Sequence, residues 1–309
     1  MLSIMESLLI FVAVSESILG LLGNGFIGLV SCIDCMKNKK ISTISFILTG
    51  LATSRFCLIW TIVTDGFLKL FSPDVHSSGN LIEYNGYLWI AMNQSSIWFT
   101  TCLSIFYFLK ISSFSHRIFL WLKGRLNMVF FLLLGCLLIS WLVTFPHFVK
   151  IVNDNRRKNK STVWSMDMYK GELFGKQIWL HLGVILLFIL CLITCVLLLT
   201  SLWRHNRRMQ LNATGFRDPS TEAHIKAMKA LVSFIILFIL NFVGTAIQIS
   251  SVTMPENKLL FIFGMATTVL YLWGHSLILI LVNRKLKQAS LRVLKPLKCW
   301  EKEKIPRTP

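Results

Sequence analysis

Long apolar segments follow one another along almost the whole of this 309-residue chain, and they constrain its fold more than any other feature. A helix rises about 1.5 Å per residue, so roughly 20 apolar residues cross the hydrocarbon core of a bilayer. Several segments reach this length. The sequence therefore predicts an all-α protein, a single seven-helix membrane domain with spans at about 8–33, 45–68, 87–110, 127–148, 179–203, 230–251 and 260–283.

The shortage of charged residues supports the same interpretation. Only 15% of the residues are charged and 54% are hydrophobic, whereas soluble domains carry about 25% charged residues. The cysteines all fall within predicted spans or on the side predicted to face the cytoplasm. A disulfide framework of the kind found in small extracellular domains is therefore not expected.

The distribution of Lys and Arg predicts the orientation of the spans. Of the 32 such residues, 22 lie in the three loops on one side or after the last span, and nine lie in the loops on the other side. Because basic loops stay in the cytoplasm, the N-terminus is predicted outside and the C-terminus inside. Residues 284–309 then form a basic cytoplasmic tail. This placement assigns the net charge of +18 to contact with membrane lipid and not to nucleic acid.

Four polar side chains lie within the predicted spans, where lipid makes an unpartnered polar group costly. They are Asn24 in the first span, Arg55 in the second, and His275 with Ser276 in the seventh. A guanidinium near the middle of the membrane must donate hydrogen bonds to carbonyls, hydroxyls or amides. We therefore predict that the four residues meet inside the bundle, either as a fixed packing network or as one that rearranges when the bundle changes shape.

Motifs for catalysis and for metal binding are absent from the sequence. The histidines show no HExxH or HxxxH spacing, and no GxSxG, Walker A or paired intramembrane aspartates occur. We therefore expect no enzyme, no cofactor and no metal. A seven-span transporter or channel is the rival class, although it would favour repeated halves and helices broken by Gly or Pro, and neither is evident.

Six motifs, in order along the chain, resemble those of one receptor family. They are LGNGFIGLV at 22–30, LATSR at 51–55, LSIFYFLKI at 103–111, LTSLWRH at 199–205, EAHIKAMK at 222–229 and HSLILI at 275–280. With seven spans and an external N-terminus, they resemble the type 2 taste receptors, the bitter taste receptors, which are G-protein-coupled receptors of the plasma membrane. The resemblance covers essentially the whole chain. A chemosensory receptor of the same fold that acts outside taste tissue is the nearest alternative.

The resemblance implies a pocket for small bitter compounds in the outer half of the bundle. There Trp89 offers an aromatic face, and Asn93, four residues later on the same helical face, offers a donor and an acceptor. Met265 stands where the family often carries Glu or another polar residue, which suggests an apolar pocket. The ligand-binding candidates are Trp89, Asn93, Gln94, Gln177, His181, Gln248 and Met265.

The resemblance also implies a heterotrimeric G protein of the gustducin (inhibitory) class as a partner, followed by phospholipase C and calcium release. Tyr107 stands where most receptors carry the Arg of their third-helix motif. Lysines at the inner end equally suit contact with anionic lipid, and assembly into receptor oligomers stays open. The candidates for the G-protein groove are Tyr107, Lys110, His205, Lys226 and Lys229.

Two further positions follow from the resemblance. Asn159, in Asn159-Lys-Ser161 of the second outer loop, is the predicted glycosylation site, because the similar patterns at Asn93 and Asn212 fall in the membrane and in the cytoplasm. Many members carry Tyr where this chain has Asn241. The sixth span therefore either lacks a tyrosine switch or uses Asn241 as a polar substitute.

Overall fold

The structure, a computed structural model, describes residues 3–38, 42–72, 80–112, 117–158, 185–204, 206–207, 219–253 and 258–303. Within these ranges the chain is built of α-helices, and no strand occurs. The helices are α1 (Ile4–Asn38), α2 (Thr43–Phe71), α3 (Asn80–Ile111), α4 (Arg117–Gly124), α5 (Leu126–Lys158), α6 (Ile185–Arg204), α7 (Pro219–Thr253), α8 (Lys258–Val282) and α9 (Arg284–Glu303).

Five of these helices, α1, α2, α6, α7 and α8, are long and apolar enough to cross a membrane by length and composition. The long helix α3 is more polar, since it carries Asn93, Gln94 and Ser96, and all three side chains are buried within the bundle. In α5, the segment Leu126–Ile139 is a shorter apolar helix. Polar residues that face neighbouring helices thus lower the hydropathy of α3 without exposing polar atoms to lipid.

The bundle is organised around α8, which contacts α1, α2, α7 and α9. On the other side, α2 packs against α1 and α3, and α3 contacts α5. Helix α6 joins α3 to α7: the hydroxyls of Ser104 and Thr194 lie 2.8 Å apart, and the ring of Phe188 stacks on that of Phe238 with centroids 4.8 Å apart. The functional residues of α2, α3 and α8 therefore face one shared interior.

The buried apolar side chains form two clusters. The first, which we call the Met265 cluster, includes Ile59 and Met265, and the second, the Trp98 cluster, includes Leu51 and Trp98. Arg55 lies on α2 between Ile59 and Leu51 and is itself fully buried. A charged side chain thus occupies the layer between two apolar cores.

The junction between α8 and α9 is fixed by capping and by an ion pair. Asn283 Oδ1 accepts hydrogen bonds from the backbone N–H groups of Lys285 at 3.0 Å and Leu286 at 3.4 Å, which satisfies donors at the start of α9. Lys285 Nζ lies 3.0 Å from Asp34 Oδ2 on α1, and Leu286 is buried. The start of α9 is therefore anchored to the ends of both α1 and α8.

Helices α7 and α8 approach so closely at Gly244 that a larger residue has no room. A Cβ at this position would lie 3.0 Å from the backbone nitrogen of Thr268 and 3.1 Å from the carbonyl oxygen of Gly264. Backbone atoms cannot turn aside as a side chain can, so this approach requires glycine. Gln248 crosses the same seam, because its Nε2 donates to the Gly264 carbonyl at 3.0 Å and to Thr268 Oγ1 at 2.8 Å.

Replacement of Gly244 by alanine is expected to lower the free energy of unfolding by about 1–3 kcal/mol, because the added methyl group forces α7 and α8 apart. Thermal unfolding of the purified protein would measure this loss, followed by labelling of the buried thiols of Cys191 and Cys195 as they become exposed. The matched control is Gly135→Ala on α5, where a Cβ meets nothing within 4 Å. That variant should be unchanged or slightly more stable, since alanine favours helix. Equal stabilities of the two variants would contradict the prediction.

Candidate functional site

The centre of the bundle holds a hydrogen-bonded network around Arg55. On the side of α3, Arg55 Nε donates to Ser96 Oγ at 3.4 Å and Nη2 donates to Thr100 Oγ1 at 3.1 Å. On the side of α8, Nη2 donates to Tyr271 Oη at 2.7 Å and lies 2.6 Å from His275 Nδ1. The guanidinium carbon also lies 4.8 Å from the centroid of the Tyr271 ring. One arginine thus connects α2, α3 and α8.

The donors and acceptors of this network are not evenly matched. Arg55 Nη2 carries two N–H groups but has three acceptors within reach, whereas the buried Nη1 has no hydrogen-bond partner among the described residues. Because a guanidinium can only donate, His275 Nδ1 must accept, so the proton of the neutral ring is on Nε2. The hydroxyls of Thr100 and Tyr271, 3.2 Å apart, can also bond to each other. Several arrangements of similar hydrogen bonding are therefore open to the same residues.

Asn24 and Ser276 form a separate pair next to this network. Ser276 Oγ donates to Asn24 Oδ1 at 2.8 Å, and Asn24 Nδ2 donates to the carbonyl of Gly20 at 2.8 Å and, more weakly, to that of Leu272 at 3.4 Å. The structure therefore brings the four predicted polar residues together as two pairs. His275 faces Arg55 on α2, while its neighbour Ser276 faces Asn24 on α1.

Three members of the Arg55 network, Ser96, Thr100 and Tyr271, were not predicted from the sequence. Ser96 and Thr100 are spaced i, i+4 on α3, and Tyr271 and His275 have the same spacing on α8, so each pair shares one helical face. This spacing could have indicated that each pair faces the bundle interior. In α3, however, many other residues carry hydroxyl groups, such as Ser95 and Thr101, whose side chains donate to carbonyls of their own helix, so the pair does not stand out in the sequence.

Asn93 is the most distinctive polar residue in the N-terminal half of α3. Its side chain is 4% exposed, and it makes no hydrogen bond within the part of the chain that the structure describes. The carboxamide can therefore donate a hydrogen bond to another molecule and accept one from it. Trp89, one turn away on the same face, is half-buried and packs against the Met265 cluster. Asn93 and Trp89 therefore present one polar and one aromatic surface side by side.

The other ligand candidates on described residues lie in different surroundings. Gln94 lines a separate groove of about 330 Å³ between α3 and α5, together with Trp141 and Phe145. Met265 is buried, and its sulfur would lie 2.7 Å from a Cβ at Gly66 of α2, so it fills the space that this glycine leaves. The Gln248 side chain, as described above, bonds to α8. Gln177 and His181 lie outside the described residues.

Two residues near Met265, Lys69 and Phe261, were not predicted from the sequence. Lys69 Nζ, near the end of α2, lies 3.8 Å from the centroid of the Phe261 ring on α8. Phe261 precedes Met265 by one turn on the same helix. Nothing in the sequence links Lys69 to Phe261, because they are far apart along the chain and meet only through the packing of α2 on α8.

A family model described as Taste receptor protein (TAS2R) matches residues 1–298. Taste receptor type 2 member 10 of Pongo pygmaeus is 66% identical over 98% of each chain, and that of Homo sapiens is 64% identical over the same shares. Taste receptor type 2 member 114 of Rattus norvegicus is 52% identical, again over 98% of each chain.

The chain belongs to the taste receptor type 2 family.

As a taste receptor it is a multi-pass membrane protein of the seven-helix, G-protein-coupled type, and a receptor and not an enzyme. The predictions of family, fold class and membrane location are therefore confirmed. Membership also supports bitter taste, small-molecule ligands and coupling to a G protein in general terms.

The opposite end of α3 in the receptor holds the candidates for the signalling surface. Tyr107 is half-buried beside the side chain of Asn283, at the junction between α8 and α9. Lys110 is exposed, with its Nζ 5.6 Å from the centroid of the Phe106 ring. Lys226 and Lys229 are exposed near the start of α7. His205 and the glycosylation candidate Asn159 lie outside the described residues.

Asn241 of the receptor lies on α7 in the buried interior. It is 3% exposed, and its Oδ1 has no hydrogen-bond partner among the described residues. Close to it in sequence, Phe238 and Phe242 both stack on Phe188 of α6, with centroids 4.8 Å and 4.5 Å apart. A polar side chain therefore stands within an aromatic region.

Proposed function

We propose that the receptor binds a small, mostly apolar bitter compound between Trp89 and Asn93 and, through a gustducin-class G protein, activates phospholipase C and calcium release. The observation that carries this proposal is the buried Asn93 carboxamide, which makes no hydrogen bond within the described chain. An apolar ligand with one polar group would complete that hydrogen bonding and cover the ring of Trp89. The orientation that we propose places this end of α3 outside the cell.

The position of Asn93 suggests how binding reaches the signalling end. Ser96 lies three residues further along α3, about 4.5 Å along the axis, and Thr100 follows one turn later on the same face. Both hold Arg55. A ligand that shifts α3 at Asn93 would therefore change the acceptors offered to Arg55, whose hydrogen bonds can be arranged in more than one way. Binding would favour one of these arrangements.

The signalling end would respond through the contacts of Tyr107. This residue stands beside Asn283, which also caps α9. A movement of α3 relative to α8 would separate Tyr107 from Asn283 and open a groove for the G protein, bordered by Tyr107, Lys110, Lys226 and Lys229. His205, Gln177 and His181, as well as the glycan on Asn159, stay part of this proposal on the strength of the family resemblance.

The test is a panel of bitter compounds applied to cells that express the receptor with a gustducin-like α subunit. A compound that activates the receptor should release calcium from internal stores, and the response should disappear without the α subunit or when phospholipase C is inhibited. A cell line without the receptor is the control. Ligand-independent ion or solute flux, with no response that depends on the G protein, would instead favour a transporter or channel.

A further inference from the structure

A large groove lies between α6 and α7, away from the proposed ligand site. Its volume is about 660 Å³, and its walls include Leu199 and Trp203 of α6 with Ile225 and Val232 of α7. Trp203 and Val232 are exposed, 55% and 41% respectively, so the groove opens outward from the bundle. In a membrane this opening faces lipid, and an apolar groove of this kind suits an acyl chain.

The groove carries basic groups beside the end of α6, while most of its lining is apolar. Lys229 lines the groove together with Trp203, which lies in the last turn of α6, and Ile225 lines it one turn nearer the start of α7. At the same end, the guanidinium carbon of Arg207 lies 5.9 Å from the centroid of the Trp203 ring. Leu199 and Val232 lie about one turn deeper on their helices. Basic groups beside apolar side chains match the two parts of an anionic phospholipid, and tryptophan is typical of the membrane–water interface.

We propose that this groove binds an anionic glycerophospholipid of the cytoplasmic leaflet, with one acyl chain between α6 and α7 and the phosphate against Lys229. The proposal goes beyond the receptor function; it needs the orientation that places this end in the cytoplasm, where anionic lipids are concentrated. The match of charge distinguishes this occupant from a neutral lipid. The mostly apolar walls distinguish it from a free phosphate, which would leave Leu199, Ile225 and Val232 uncovered.

A lipid bound in this groove would affect the separation of α6 and α7. Because the lipid lies between these two helices, it would resist or favour their separation according to the state in which the groove fits it best. Lys229 was also a candidate for the G-protein groove. The test therefore measures lipid binding directly. A result against the proposed lipid site can then be distinguished from a result against the proposed receptor function.

The test titrates the purified full-length receptor in detergent with phosphatidylserine or phosphatidylcholine and counts bound lipid by native mass spectrometry. Phosphatidylserine should bind more tightly. Lys229→Gln should weaken its binding about five-fold, the usual effect of one basic residue near a lipid surface. The matched control is Lys226→Gln, which removes the same charge one turn earlier on α7 from a residue that does not line the groove. Its phosphatidylserine affinity should stay within about two-fold of the native value.

A second variant tests the groove without changing charge. Val232→Trp would fill the space between α6 and α7 and should reduce binding of phosphatidylserine while Lys229 remains. Equal losses in Lys226→Gln and Lys229→Gln would overturn the proposal in favour of diffuse surface charge. Unchanged binding in Val232→Trp, or equally strong competition by glycerophosphoserine without acyl chains, would overturn it as well.

Discussion

Replacement of Asn93 by alanine is expected to raise the concentration of a bitter agonist needed for half-maximal calcium release by about ten-fold or more. The carboxamide is buried and makes no hydrogen bond within the described chain, so a bound ligand would supply its partner. Loss of one such buried hydrogen bond costs about 1–3 kcal/mol, and 1.4 kcal/mol corresponds to ten-fold in affinity. Trp89→Ala should cause a loss of similar size, because the ligand would no longer have an aromatic surface to cover.

The neighbouring residue Gln94 provides the matched control. It is also an amide on α3 and is equally buried, but it lines the groove between α3 and α5. Gln94→Ala should therefore shift the agonist response less than about three-fold. Surface expression of each variant is measured in the same cells, so that a folding defect is not mistaken for lost binding. Unaltered responses in both Asn93→Ala and Trp89→Ala would refute the pocket.

Replacement of Arg55 by glutamine is expected to lower the free energy of unfolding by about 2–4 kcal/mol. Arg55 contacts Ser96 and Thr100 on α3 and Tyr271 and His275 on α8, and hydrogen bonds between membrane helices contribute roughly 0.6–1.7 kcal/mol each. Glutamine is shorter and has fewer donors, so it cannot reach both helices. The melting temperature of the purified receptor should fall by roughly 5 °C or more.

The adjacent residue Ser54 serves as the control for Arg55. It is buried on the same helix, but its hydroxyl donates to the carbonyl of Leu51 within α2 at 3.0 Å. Ser54→Ala should therefore change stability by less than about 1 kcal/mol. Tyr271→Phe, which removes one acceptor but keeps the ring, should give an intermediate loss. If Arg55→Gln unfolded at the temperature of the native receptor, the network would not hold α2, α3 and α8 together.

The pattern of hydrogen bonding around Arg55 bears on whether the network is fixed or can change. A fixed brace would be expected to use every donor, yet Nη1 has no partner among the described residues while Nη2 faces three acceptors. A network with spare donors and spare acceptors can rearrange at little cost. On this ground we propose the second of the two interpretations drawn from the sequence, in which the network changes with the state of the bundle.

Much of the fold followed from the sequence because its physical basis is local. Apolar length predicts a membrane helix, and a charged residue such as Arg55 inside a span must face the interior because lipid offers it no partner. The spacing of Trp89 and Asn93 likewise places both on one face of any helix. The order of six short motifs pointed to the family, and this was confirmed by the match over residues 1–298.

The partners of each polar residue could be decided only by the tertiary structure. Arg55 meets Tyr271 and His275 across 216 and 220 residues of chain, and no local pattern encodes which helices come together. The sequence suggested one network of four residues, whereas packing separated Asn24 and Ser276 from Arg55 and His275 because adjacent residues on α8 face different neighbours. Helix packing likewise places Gln94 in the groove between α3 and α5 and brings Gln248 to the backbone of α8. Helical periodicity fixes the face on which a residue lies, but only the packed bundle determines what that face meets.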